Sequence, residues 1–273
     1  MRVLIVGSHS YIARHFMSYV GQYHPSIELG TITVRDANWN KTRFEEYDVV
    51  VYFSAIVHHP DITDEGLYDE VNAEIPKQMA SLARLQGVKH FIYLSTVGVW
   101  GLGPKFNYTI TISKDTPLKP NSLYGVSKLK GEQQLLAMAT NSFIVTVIRL
   151  PNVYGENCPG TFYQRLRFLS HLYVLPVCKE KRPFSIISVG NVARALLNTI
   201  SKELSGIICP QDPEIISIVD RIREMAQNSG RRQVQFRVNS QLLSWFYKMN
   251  PNKYMDNLYG GYYIDTNSFP NIL

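Results

Sequence analysis

The chain opens with an apolar run, Val3-Leu4-Ile5-Val6, that ends at Gly7, and residues 10–22 then carry Ile12, Phe16, Tyr19 and Val20 at helical spacing. That pattern predicts strand, tight turn and helix in succession. An extended segment over 27–36 follows, and another strand begins at Asp48. Residues 72–86 place Ile75, Met79 and Leu82 on one stripe, stop at Gly87 and lead into a strand over 90–95. Pro120-Asn121-Ser122 is a break followed by good N-cap residues, and Lys128, Lys130, Glu132, Gln133, Gln134, Leu135, Leu136 and Met138 continue at helical propensity, so Tyr124 falls in the first turn of a helix. An apolar strand over 143–150 comes next. Alternation of helical and extended segments through residue 150 predicts an α/β fold with a parallel sheet and crossover helices. Beyond Tyr154 the pattern loosens into aromatic and basic loop sequence. A helix over 189–202, a strand over 206–209, a helix over 216–228 and a strand over 233–238 then predict a second, smaller lobe. The division expected is 1–153 and 154–273, partly interleaved.

Composition narrows the class. A chain of 273 residues with 45% hydrophobic content can bury a substantial core. No run approaches the roughly twenty uninterrupted apolar residues of a membrane span, and Met1 leads directly into the first strand without a signal-peptide pattern, so a soluble cytoplasmic protein is expected. Cys158, Cys178 and Cys209 are scattered, which fits a reducing compartment, and neither they nor the adjacent pair His58-His59 show metal-ligand spacing. The net charge of +6 suits an anionic ligand such as a nucleotide diphosphate. Basic residues are dispersed, densest at Lys179-Glu180-Lys181-Arg182 and Arg231-Arg232, which reads as a solvated surface rather than a nucleic-acid site.

Candidate chemistry centres on Tyr124-Gly125-Val126-Ser127-Lys128, with Leu94-Ser95-Thr96 upstream. Tyr124 and Lys128 are i and i+4 and stack on one helical face. A free phenol titrates near pH 10, but a cation held roughly 4 Å away favours phenolate by up to ~4 kcal/mol at an effective dielectric of ~20, and the helix dipole adds ~0.3 to 1 kcal/mol. The expectation is a Tyr124 phenol depressed by Lys128 until it exchanges a proton with an alcohol near neutrality. At the other end of the chain, Gly7-Ser8-His9-Ser10-Tyr11-Ile12-Ala13 is a degenerate dinucleotide-binding turn: Gly7 keeps the first glycine place, and Ser10 and Ala13 stand in the other two.

Taken together, these blocks resemble the extended short-chain dehydrogenase/reductase family, more narrowly its nucleotide-sugar epimerase/dehydratase branch. Further blocks agree in order: Asp48-Val49-Val50-Val51-Tyr52-Phe53-Ser54-Ala55, Val71-Asn72, the active-site strand and loop from Phe91 to Gly101, and Arg149-Leu150-Pro151-Asn152-Val153-Tyr154-Gly155. The resemblance implies a Rossmann-like doubly wound parallel sheet with a small C-terminal substrate-binding lobe. It implies NAD or NADP as cofactor, contacted by Gly7, Ser10, Tyr11, Ile12, Arg35, Asp36, Phe53, Ser54, Ala55 and Lys128. The catalytic hydroxyl of the branch lies five residues before the loop glycine, here Gly101, which selects Thr96 over Ser95. Tyr124 is then the acid or base for the substrate hydroxyl, Lys128 bonds the nicotinamide ribose, and Thr96 orients the same oxygen. A nucleotide-diphosphate sugar is implied as substrate, with Thr96, Tyr124, Asn152 and Arg182 as its contacts.

The departures matter as much. About a dozen residues separate 27–36 from the strand at Asp48, where the family inserts a helix and a strand, so the adenosine end of the cofactor site is expected to be abbreviated. Asp36 is a candidate for the adenosine portion and Arg35 for a 2′-phosphate, which leaves NAD and NADP both open. Phe184 stands where the family has an arginine for the substrate phosphates, and Arg182, Arg165 or Arg231 is the expected replacement. The chain also ends soon after 262–266, earlier than relatives do, so the last lobe is expected to be minimal or its end absent. Val97 and Gly98 replace the acidic pair of the 4,6-dehydratases, which disfavours dehydration. What remains is a C4 epimerase in surface-polysaccharide precursor synthesis, an NADPH-dependent 4-ketoreductase of a UDP-linked deoxy sugar, or a non-catalytic dinucleotide sensor. The segment from Ala55-Ile56-Val57-His58-His59 to Arg149 and Asn152 resembles members that process N-acetylated or 6-deoxy UDP-sugars for surface polysaccharides. Relatives also form homodimers through the two helices equivalent to 72–86 and 127–139, whose apolar residues include Met79, Leu82, Leu129, Leu135, Leu136 and Met138.

Overall fold

The computed structural model describes residues 1–35, 37–57, 63–269 and 272–273. The elements, in order, are β1 (Arg2–Val6), α1 (Tyr11–Tyr23), β2 (Glu28–Ile32), β3 (Val49–Tyr52), α2 (Glu65–Asp69), α3 (Ile75–Leu85), β4 (His90–Thr96), β5 (Thr109–Ile112) and α4 (Leu123–Leu136). They continue with β6 (Ile144–Leu150), β7 (Asn152–Tyr154), α5 (Thr161–Ser170), β8 (Val174–Val177), β9 (Ile186–Ser188), α6 (Val189–Ser201) and β10 (Gly206–Ile208). The chain closes with α7 (Ile218–Asn228), β11 (Val234–Arg237), α8 (Ser240–Met249), α9 (Lys253–Tyr259) and β12 (Gly261–Ile264).

Six strands form an all-parallel sheet in the order β10-β6-β4-β3-β1-β2. The central strands are buried on both faces, which is why they read as continuous apolar runs rather than alternations. One face packs Val3, Ile5 and Val51 against Phe16 of α1 and Leu196 of α6; the other packs Leu4, Val50 and Phe91 against Met79 of α3 and Leu135 of α4. Chain order reverses between β1 and β3, and a doubly wound sheet opens its crevice at the carboxyl ends of such strands. A separate core, built on Trp100, Phe184, Ile222 and Tyr262, lies under the C-terminal lobe. The chain passes between the two parts repeatedly: β10 and α6 return to the main sheet, and β5 leaves it to pair with β12.

Most boundaries fall within two residues of the sequence pattern. The segment before β4 differs: helical structure begins at Glu65 and reaches α3 through a π turn, Glu70–Glu74, so Asn72 lies inside the helix rather than at its start. Of the six apolar residues on the helices expected at a dimer contact, Met79 and Leu135 are fully buried, and the other four pack onto the protein's own cores.

Candidate active site

The site is assembled at the end of β4. Strand alternation sends Ser95 inward, where its hydroxyl donates to Glu132 Oε1, and leaves Thr96 half-buried at the strand's carboxyl end. Thr96 caps the turn that follows, its Oγ1 accepting from Gly98 N at 3.1 Å. On the other side, Ser122 caps α4 by accepting from Gly125 N at 3.1 Å, so Tyr124 sits in the first turn as its sequence predicts. That turn lies directly on the Thr96 loop: a Cβ at Gly125 would stand 2.9 Å from Gly98 O, so only glycine permits the approach. One turn on, Lys128 Nζ donates to Leu94 O at 2.8 Å and lies 4.3 Å from the centre of the Tyr93 ring. Thr96, Tyr124 and Lys128 thus gather at one strand end.

Burial sets their protonation. Lys128 is 1% exposed, and loss of hydration pulls its ammonium down to about 7, with Glu132 one turn away opposing the fall. The same desolvation pushes the Tyr124 phenol up. This corrects the expectation that Lys128 depresses Tyr124. The physical reason is that a shared dry site disfavours the charged form of both groups, and Lys128 is turned to Leu94 O and the Tyr93 face.

Beneath the trio lies a buried ion pair that sequence reading did not single out. Glu132 takes Arg149 Nη2 at 2.7 Å and Nε at 3.1 Å, and Arg149 stands 4.8 Å from the Trp100 ring. Because Ser95 pairs with Arg149 in register, this cluster ties the ends of β4 and β6 to α4. Asn72 is the second unread support. Its Oδ1 accepts from Ile56 N at 3.0 Å, while Nδ2 donates to Ile56 O and Ser127 Oγ, so the loop after β3 is fastened to α4. The signals were present as Glu132 at i+4 from Lys128 and an isolated polar residue on an apolar helix face.

The cofactor candidates divide. Gly7 has φ +87°, and a Cβ there would lie 2.9 Å from Ser54 N, so the ends of β1 and β3 close to a distance only glycine allows. Ser10 caps α1 through Ala13 N, leaving the helix N-terminus at the crevice. This bare turn, with a buried amine across the sheet end, fits a dinucleotide's pyrophosphate and ribose. Ile12 packs partly into the core, and the Phe53 ring is buried against Phe16, so their side chains serve structure. Tyr11 donates to Glu156 O at 2.9 Å, and burial pushes its phenol up to about 12. Ser54 and Ala55 are half-buried beside Gly7 and Ile56. Arg35 is exposed after β2, while Asp36, His58 and His59 lie outside the described residues.

On the substrate side, Asn152 is exposed just past β6, whose last residue, Leu150, pairs with Thr96. Arg182 Nη2 donates to Asn107 Oδ1 at 2.6 Å. Phe184 is buried and stacked on Phe162, with ring centres 5.7 Å apart. Of the other basic candidates, Arg165 lies over the Tyr254 ring at 5.1 Å.

A parallel sheet with this reversal and a glycine turn at its first strand are the features of a dinucleotide-binding α/β fold. Residues 3–199 match the NAD dependent epimerase/dehydratase family, and the chain belongs to it. It is 30% identical over 187 residues to a UDP-glucose 4-epimerase of Vibrio cholerae, covering 65% of this chain and 56% of that one. It is 26% identical over 203 residues to the N-acetyl-alpha-D-glucosaminyl-diphospho-ditrans,octacis-undecaprenol 4-epimerase of Escherichia coli O157:H7, covering 73% and 57%. The matches thus span little more than half the length of these relatives. Among solved structures, UDP-glucuronic acid 4-epimerase from Bacillus cereus in complex with NAD aligns with a TM-score of 0.67 at 18% identity, over 96% of this chain and 95% of that one.

Proposed function

We propose that the protein is an NAD(P)-dependent epimerase acting at C4 of a nucleotide-diphosphate sugar, in the cytoplasm, in the synthesis of surface-polysaccharide precursors. The observation that carries this reading is the convergence of Thr96, Tyr124 and Lys128 at the carboxyl end of β4. The 4-epimerases among its relatives support the choice of reaction. Tyr124 exchanges a proton with the sugar hydroxyl, acting as base in its phenolate form, which the dry ligand-free site disfavours and a Lys128 ammonium held by the ribose would favour; Thr96 holds the same oxygen. A nicotinamide held beside these residues would supply the hydride acceptor and donor, and epimerisation requires return of the hydride to the opposite face of the sugar carbon. Asn152 and Arg182 are assigned to the substrate. The structural support for Arg182 is the weaker of the two, because Asn107 engages its guanidinium.

A second reading, NADPH-dependent 4-ketoreductase, is favoured by one observation: the exposed Arg35 after β2 stands where a 2′-phosphate would be met. The two part cleanly in a test on purified protein. Interconversion of UDP-sugar C4 epimers with NAD retained supports the epimerase, and net NADPH consumption with a 4-keto sugar nucleotide supports the reductase. Tyr124→Phe is expected to lower turnover by about 10²- to 10⁴-fold with cofactor affinity little changed. A fully active variant overturns the role given to Tyr124, whereas cofactor binding without turnover on either substrate class overturns both reactions and leaves the dinucleotide sensor.

A further inference from the structure

The C-terminal lobe carries a surface that the proposed chemistry leaves unused. Helix α8 faces inward through Leu243, packed on the lobe's core, and through Tyr247, whose hydroxyl donates to Asp256 Oδ1 at 2.8 Å. Its other side shows Leu242, Trp245, Phe246 and Met249 at i, i+3, i+4 and i+7, each between 48% and 67% exposed. A helix this short gains nothing from an outward stripe of large apolar side chains in water, so the stripe marks a contact surface. Elsewhere in the same lobe β11 exposes Val234 and Phe236, with Val174 paired to Val234 in register, and α5 exposes Phe168.

Charge identifies what it meets. The two stretches that supply these elements, 157–179 and 225–255, contain eight Lys or Arg and no Asp or Glu. The rest of the chain then holds twenty basic and twenty-two acidic residues, so the whole positive excess of +6 resides in the stretches that carry the exposed apolar side chains. Glu156, Glu180, Glu224 and Asp256 stand just outside these stretches, and Asp256, beside α8, is engaged by the Tyr247 hydroxyl and by Phe106 N. Arg237 precedes α8, Lys248 lies on it and Lys253 follows. An aromatic and aliphatic helix face among unbalanced cations is the pattern of an interfacial helix on anionic lipid. A twofold contact with a second copy would set this positive excess against itself. Phosphate binding alone has no use for Leu242 or Met249.

We infer that α8 and its surroundings seat the protein on an anionic membrane surface, with Trp245 and Phe246 entering the headgroup boundary. This holds whichever reaction the site performs. The test is cosedimentation of the full chain with phosphatidylglycerol-rich vesicles against phosphatidylcholine vesicles. Binding is expected to be at least ~10-fold tighter to the former and to weaken with salt. Brominated lipid should quench the exposed Trp245, whereas Trp100 is buried. The double variant Trp245→Ser/Phe246→Ser should lose at least ~10-fold in vesicle affinity with its circular dichroism unchanged, since both residues lie on the surface. Equal binding to both vesicle types, or no effect of the double variant, overturns the inference. Loss of vesicle binding to inorganic phosphate at an ionic strength at which chloride leaves it intact would show a soluble anion as the ligand. Light scattering showing a dimer that the double variant makes monomeric would show a second copy as the occupant, and either result overturns it too.

Discussion

Lys128 is the residue on which chemistry and stability conflict. Held at about 7 by burial, it carries only part of its charge at neutrality. Ribose hydroxyls that favour the ammonium would raise that value, so cofactor binding takes up a proton above pH 7. The sign follows: affinity falls as pH rises through about 7, by up to ~10-fold per pH unit until the bound-state value is reached. Calorimetric titration of NAD across pH 6 to 9 should show this slope in the parent, and Lys128→Met should flatten it. The variant is also expected to unfold at higher urea, by about 1–3 kcal/mol, because an apolar side chain replaces a desolvated amine. A flat affinity profile in the parent protein would mean that Lys128 stays clear of the cofactor.

At the scale of elements, the cluster of Ser95, Glu132, Arg149 and Trp100 decides whether β4, β6 and α4 meet in register. Glu132→Gln removes one partner of a buried ion pair and should cost about 3–5 kcal/mol in chemical denaturation, while joint replacement of Glu132 and Arg149 by Leu and Met should recover most of it. Because Glu132 opposes the fall of Lys128, the single variant should also move the pH limb of cofactor affinity lower. What the sequence makes legible here is local: Ser122 as a cap and Tyr124 in the first turn. What it conceals is tertiary. Nothing local tells that Glu132 and Arg149 face each other across 17 residues of chain, or that Asn72 holds Ile56 and Ser127 together. The direction in which the Tyr124 phenol moves is hidden for the same reason: charge proximity is visible in an i, i+4 spacing, whereas dryness is a property of the assembled site.

Across the whole molecule, the alternation of elements announces the parallel sheet, and the short link before β3 announces its trimmed edge, where two 3₁₀ turns replace a helix and β2 is the last strand. The C-terminal helices α8 and α9 are not legible, because an outward apolar stripe blurs the amphipathic pattern from which helices are read. Burial summed over the molecule gives a further prediction. His90 is 2% exposed, and its Nε2 lies 2.8 Å from Thr146 Oγ1; that hydroxyl donates to Leu204 O, so the ring must donate through Nε2, and among the described residues no acceptor meets its buried Nδ1 to favour a second proton. Burial pulls His90 to about 4, so the stability it contributes is present above 6.5 and is lost as pH falls from 6.5 towards 4, at up to ~1.4 kcal/mol for each pH unit crossed. Lys128 acts in the same sense, its contribution being lost as pH falls from 10.5 to about 7. The buried phenols of Tyr52, Tyr93 and Tyr259 are raised, so what they contribute is present below 10 and is lost at higher pH. The unfolding temperature should therefore climb from pH 4 to a maximum between about 8 and 10 and fall beyond it, with the alkaline part of the climb removed in Lys128→Met. A maximum below pH 6 in scanning calorimetry would contradict the dry placement of both His90 and Lys128.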